Sequence, residues 1–220
     1  MSETLRKLNV VPLCHSVEDM TGLKEEDFYA AGVAVPRRSD RPAETNIQAI
    51  AEWLDSFNPD FRGVRVYYDG LPDTSEARIS RMLARSDRPL DEIVKTLRFN
   101  GARIMGTEDP RIVAQLEHLV GQVSLLISVG NASDAQSKED ELGKLLIGTM
   151  DKRDQYIARR VGNTLKKGEE GILFQGISHN VRRFLDPSIR VSVPAIVTRA
   201  LPLDLQLSSG FQATYRDCIR

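Results

Sequence analysis

Cysteine and histidine are scarce in this chain, and the scarcity narrows its chemistry. Two of the 220 residues are cysteine, Cys14 and Cys218, near opposite ends. That is too few for a disulfide framework or a cysteine-rich zinc module. Three are histidine, His15, His118 and His179, so any imidazole chemistry must draw on these. An excess of one charge is also lacking. Lys and Arg number 30 against 31 Asp and Glu, which argues against a surface that tracks nucleic acid or an anionic membrane. No apolar run approaches the roughly 20 residues that cross a bilayer, and Met1 is followed by the polar run Ser2 to Lys7, without a signal-peptide core. The expectation is a cytoplasmic protein with reduced thiols and with neither nucleic acid nor membrane as partner. There is no glycine-rich phosphate loop: Gly168 and Gly171 flank two glutamates, the wrong sign for cradling an anion. No local Ser-His-Asp arrangement occurs. Cys14 beside His15 is a weak thiol-nucleophile pairing, because adjacent residues of an extended chain point apart.

What is present is an alternation of short apolar runs with helical periodicity. Leu8-Asn9-Val10-Val11-Pro12-Leu13 predicts a strand ending at Pro12, since proline offers no N–H to a ladder. Ile47, Ile50, Ala51, Trp53, Leu54 and Phe57 recur at helical spacing, with Thr45 or Asn46 as the cap. Residues 63–68 predict a second strand closed by the turn Asp69-Gly70-Leu71-Pro72. Helices follow over 75–85 and 90–99, then a strand over 102–106 and a long helix opening at Pro110. Residues 128–141, rich in Gly, Ser, Asn, Asp and Lys, predict a linker or loop. A helix over about 142–167, a buried strand over 172–176, a short helix over 180–185, a strand over 189–197 and a tail over 201–220 complete the pattern. The fold class expected is α/β: a mixed, largely parallel sheet flanked by helices in one domain over 1–200, with a helical insertion around 110–168.

In open α/β sheets ligands bind outside the carboxyl ends of the strands. His15 follows the first strand, Asp69 the second and His179 the strand over 172–176. Two imidazoles and a carboxylate at one edge can hold a divalent metal, or act as acid and base. Each residue also has an ordinary use as a turn or capping residue. Glu108 and Asp109 follow the strand over 102–106, and they equally suit the positive end of the helix at Pro110. Arg153 shares a helical face with Ile157; it points either inward to the strand ends or out as part of a solvated face. His118, inside the long helix beside Glu117 and without a ligand at i+4, reads as a surface or satisfied helix residue.

At these residues the sequence resembles the TraB/GumN group, within the wider set that includes Tiki proteases, erythromycin esterases and ChaN-like proteins. That set carries two Gly-x-x-His segments at strand ends and an acidic residue after the second strand. The C-terminal segment matches as Gly176-Ile177-Ser178-His179 after Ile172-Leu173-Phe174, and Arg153-Asp154-Gln155-Tyr156-Ile157-Ala158 resembles the arginine-bearing helix before it. The first segment departs from the pattern: Pro12-Leu13-Cys14-His15 has proline where glycine is expected. Asp69 stands where glutamate is usual, one methylene shorter, so the backbone would have to come closer. Tyr68-Asp69-Gly70-Leu71-Pro72 and Met105-Gly106-Thr107-Glu108 also resemble segments of small bacterial proteins without assigned activity. The resemblance implies unequal things: metal-dependent proteolysis in Tiki-like proteins, lactone opening by histidine and glutamate in erythromycin esterases, haem binding in ChaN-like proteins. Fold analogy does not choose among them, and no specific haem signal is present.

Two readings follow. One is a hydrolase of a peptide or ester bond, in which His15, Asp69 and His179 hold Mn²⁺, Co²⁺ or Zn²⁺ or work as acid and base. Arg153 then stabilises the oxyanion, and Glu108 serves as an extra base or ligand. The other is a non-catalytic protein that keeps the fold and binds a small molecule, a peptide, a protein partner or a second copy of itself.

Overall fold

The computed structural model describes residues 5–14, 41–57, 60–129, 135–202 and 206. The fold is α/β. Five strands form one sheet that is parallel throughout: β1 (Arg6–Leu13), β2 (Val64–Pro72), β3 (Arg103–Glu108), β4 (Glu170–Gly176) and β5 (Ile189–Ser192), in the spatial order β3-β2-β4-β1-β5. The helices described are α1 (Arg41–Phe57), α2 (Glu76–Ala84), α3 (Pro89–Phe99), α4 (Pro110–Val129), α5 (Ala135–Thr164) and α6 (Ala195–Arg199). None of them is long and apolar enough to cross a membrane, among the described residues.

The order explains where the helices lie. From β1 to β3 the chain moves across the sheet in one direction, and from β3 to β5 in the other. Right-handed crossovers then place the two sets of connections on opposite faces. Ile50 and Trp53 of α1, Ile79 of α2 and Val94 of α3 pack with Val66, Ile172 and Phe174 on one face. Ile157 and Val161 of α5, with Leu165 just beyond its end, pack with Leu8, Val10, Tyr67 and Leu173 on the other. The two-residue period of each strand sorts its side chains between these cores. β4, at the centre, is buried on both faces from Gly171 to Gly176.

Several boundaries differ from expectation, each for a local reason. β1 continues through Pro12 to Leu13. β5 pairs with β1 only as far as Asn9, so the side that Pro12 shares with Cys14 carries no strand. Leu13 C=O instead faces β4, accepting from Ile177 N–H at 3.2 Å. Asn46 fills the gap: its amide donates to Pro12 C=O at 3.2 Å and accepts from Cys14 N–H at 3.0 Å. Neither Thr45 nor Asn46 is therefore the cap of α1, which begins at Arg41. Asn46→Ala is expected to cost about 1–3 kcal/mol by stranding these backbone groups, measured by urea unfolding.

Residues 69–72 do not close β2; they bulge within it. The pairing with β3 shifts between Tyr68 and Pro72, Gly70 takes φ +86°, and Thr107 Oγ1 donates to Tyr68 C=O at 3.0 Å. The bulge lies so close over Gly106 that a β-carbon there would sit 1.9 Å from Pro72 O. The segments Tyr68–Pro72 and Met105–Glu108 are thus packed against each other. Most of the expected linker is helical, because α4 extends to Val129 and α5 starts at Ala135, in a stretch of good helix formers. The expected strand over 189–197 stops at Ser192, and Pro194 instead caps α6. The short helix after β4 is a 3₁₀ turn over Val181–Phe184. Most of the expected tail lies outside the described residues.

Candidate functional site

Neighbouring strands send their connections to opposite faces of the sheet, which opens space above their carboxyl ends. Four of the five candidate residues meet there. Asp69 comes from the β2 bulge, Glu108 is the last residue of β3, Arg153 enters from α5, and His179 lies three residues beyond β4. His15 lies outside the described residues. His118 is exposed on α4, the surface alternative of the two expected.

Arg153 points inward and joins the two acids. Its Nη2 donates to Asp69 Oδ1 at 2.6 Å and Glu108 Oε1 at 2.8 Å, and its Nε donates to Glu108 Oε2 at 2.8 Å. This fork uses the planar geometry that distinguishes arginine from lysine. Asp69 Oδ2 accepts from Gly176 N–H at 3.0 Å and lies 3.3 Å from His179 Nε2. The other ring nitrogen, Nδ1, is 2.5 Å from Asp154 Oδ1. The side chains of Asp69, Glu108 and His179 are 5%, 3% and 2% exposed, whereas that of Arg153 is 19% exposed. Arg153 is the cluster's face to the outside, and its Nη1 makes no hydrogen bond among the described residues.

Glu108 is part of this cluster rather than a helix-dipole residue; Asp109, one position on, caps α4. The bulge also answers the shorter reach of aspartate at 69, because it brings that carboxylate onto the Gly176 amide. Sequence reasoning missed Asp154. Its signal was available: Asp154, Ile157, Val161 and Leu165 share one helical stripe, so a charge sits on the face that packs inward.

The environments push the two linked acids apart. Burial opposes charge on Asp69, but the hydrogen bond from His179, with the charges of His179 and Arg153, holds it well below the usual carboxylate range. Burial pushes Glu108 up to about 7; Arg153 opposes this, and the negative charge of Asp69 adds to it. Burial disfavours the His179 cation, yet its hydrogen bonds to Asp154 and Asp69 raise it to about 9. Burial likewise opposes charge on Arg153, and Glu108 and Asp69 more than compensate, keeping it a cation.

As arranged, these residues do not fit a divalent metal. Both oxygens of Asp69 and of Glu108 are committed to donors, both nitrogens of His179 face carboxylates, and a guanidinium lies 2.6 Å from the Asp69 oxygen a metal would need. No group of three or more His, Cys, Asp or Glu is arranged to hold a metal ion among the described residues. The donor set suits proton transfer instead: one acid near neutrality, one fixed anion and one guanidinium with an open edge. Searches against protein-family models, curated proteins and solved structures return no match in any of the three, so a functional reading rests on this geometry.

Proposed function

We propose that the protein hydrolyses an ester or peptide bond by acid–base chemistry at the Asp69–Glu108–Arg153 cluster. The observation that carries this reading is Arg153 bridging two buried acids, of which one is held ionised and the other sits at about 7. A group near neutrality can both accept and return a proton at ordinary pH. Glu108 takes the proton from an attacking water and gives it to the leaving group. The open Nη1 edge of Arg153 donates to the oxyanion that forms on the carbonyl. Asp69 and His179 act as fixed charges that orient the guanidinium. The resemblance to erythromycin esterases, which use histidine and glutamate, supports the same reaction class. A metal-dependent version requires Arg153 to leave Asp69.

The test is a screen of the purified protein on ester and peptide libraries, with chelator and with added Mn²⁺, Co²⁺ or Zn²⁺. Activity is expected in chelator, and Glu108→Gln is expected to lower kcat by about 10²-fold. Activity seen only with metal, or undiminished in Glu108→Gln, contradicts the proposal.

One observation favours a second reading, a non-catalytic binding protein. Every oxygen of Asp69 and Glu108 already has a partner, so a substrate must displace part of the network. That reading predicts a thermal shift with a ligand or partner and no turnover.

A further inference from the structure

Asp154 hydrogen-bonds to neither Arg153 nor Glu108. Both of its oxygens are spent on the segment that follows β4. Oδ1 lies 2.5 Å from His179 Nδ1, and Oδ2 accepts from Asn180 N–H at 2.7 Å. Holding a ring nitrogen and the next backbone amide together fixes both the rotation of the imidazole and the course of the loop. The second ring nitrogen is thereby aimed at Asp69 Oδ2, 3.3 Å away, and the other oxygen of Asp69 receives Arg153. The result is one continuous chain from Asp154 through His179, Asp69 and Arg153 to Glu108.

A neutral imidazole has one donor and one acceptor nitrogen. Placed between two carboxylates, it would set a lone pair against an oxygen lone pair on one side. Only the doubly protonated ring satisfies both contacts. Among the described residues, the charged groups facing the ring include Asp154 and Arg153 from α5 and Asp69 from β2. The two carboxylates touch the ring nitrogens, whereas the guanidinium, bonded to Asp69, opposes the positive charge of the ring.

We propose that Asp154 is a positioning residue: it holds His179 doubly protonated and aimed at Asp69, making Asp69 the permanent anion and leaving the mobile proton to Glu108. The part concerning Glu108 rests on the acid–base reading above; the part concerning His179 does not. It assigns His179 the role of a fixed charge, not of a base or a metal ligand.

The experiment is ¹⁵N NMR of the full chain with labelled histidine. Only three histidines are present, and the spectrum of His179→Gln assigns the signals of His179. At pH 7 the wild-type ring is expected to show protons on both nitrogens, with slow exchange. Asp154→Asn, checked for folding by circular dichroism, is expected to lose the Nδ1 proton signal and leave a neutral ring. Asp154→Glu, which keeps the carboxylate, is expected to retain the doubly protonated form. A singly protonated ring in the wild type overturns the proposal without any variant, and so does an unchanged ring in folded Asp154→Asn. If the protein proves to have no hydrolytic activity, these spectra still decide the role of Asp154 toward His179.

Discussion

Arg153→Met is expected to lower the unfolding free energy by about 3–5 kcal/mol at pH 8, because breaking a buried ion pair strands the charge left behind. Methionine roughly preserves the aliphatic volume, so the loss reports on charge more than on packing. Without the guanidinium three charge-assisted hydrogen bonds are removed, Asp69 is left a buried anion, and Glu108, freed of the cation that lowers it, must stand as a second buried anion or take up a proton. The cost is expected to shrink at pH 5, where Glu108 holds a proton and only Asp69 needs a cation. Adding Glu108→Gln to Arg153→Met is expected to recover part of the loss at pH 8, since it deletes one of the stranded charges. Urea unfolding of the single and double variants at both pH values measures this. An equal loss at both pH values would mean that Arg153 acts through Asp69 alone and that the ionisation of Glu108 contributes nothing.

The second large effect is a fall in stability from the acid side of neutrality toward alkaline pH. His179 ionises at 6.5 when unfolded and about 9 in the folded protein. Its contribution is therefore complete below 6.5 and lost as pH rises through 9; the gap corresponds to roughly 3 kcal/mol. Glu108 moves from 4.5 to about 7. For a carboxyl raised on folding, the stabilised form is the protonated one, so this contribution is complete below 4.5 and lost through 7, again roughly 3 kcal/mol. Asp69 has the opposite sign: its folded value is depressed, so its contribution is present above 3.8 and is lost at still more acid pH. Together they place the stability maximum of the cluster near pH 4–5, by roughly these values, and not at neutrality. His179→Gln is expected to flatten the limb between 6.5 and 9, at the cost of a lower overall stability because Asp154 and Asp69 lose a charged donor.

Much of this arrangement is legible in the residues taken in order. Strand–helix alternation identifies an α/β fold, since short β-branched runs and 3.6-residue stripes are local signals. Asp69, Glu108 and His179 stand out because each ends or follows an apolar run, and such ends converge in parallel sheets. The order β3-β2-β4-β1-β5 is not legible, because strand pairing is non-local and no residue near β1 announces that β4 will be its neighbour. Asp69-Gly70 reads as a turn by composition, yet the close approach to Gly106, set by pairing with β3, makes it a bulge. Pro12 reads as a strand end only because the early departure of β5 and the amide of Asn46 lie far away in the chain. Asp154 is hidden inside a charged run whose exposed members, such as Lys152 and Arg159, resemble it in composition and differ from it only in the face they occupy.

The central claim is that Glu108, set against an ionised Asp69, carries the proton of this site. The most direct test is the difference in unfolding free energy between wild type and Glu108→Gln at pH 4.5 and at pH 7.5. Subtracting one protein from the other isolates Glu108 from the titration of His179. The wild type is predicted to lose roughly 3 kcal/mol more than the variant between the two pH values. Parallel curves, with Glu108 titrating as an ordinary carboxyl, would contradict the assignment and the acid–base chemistry built on it.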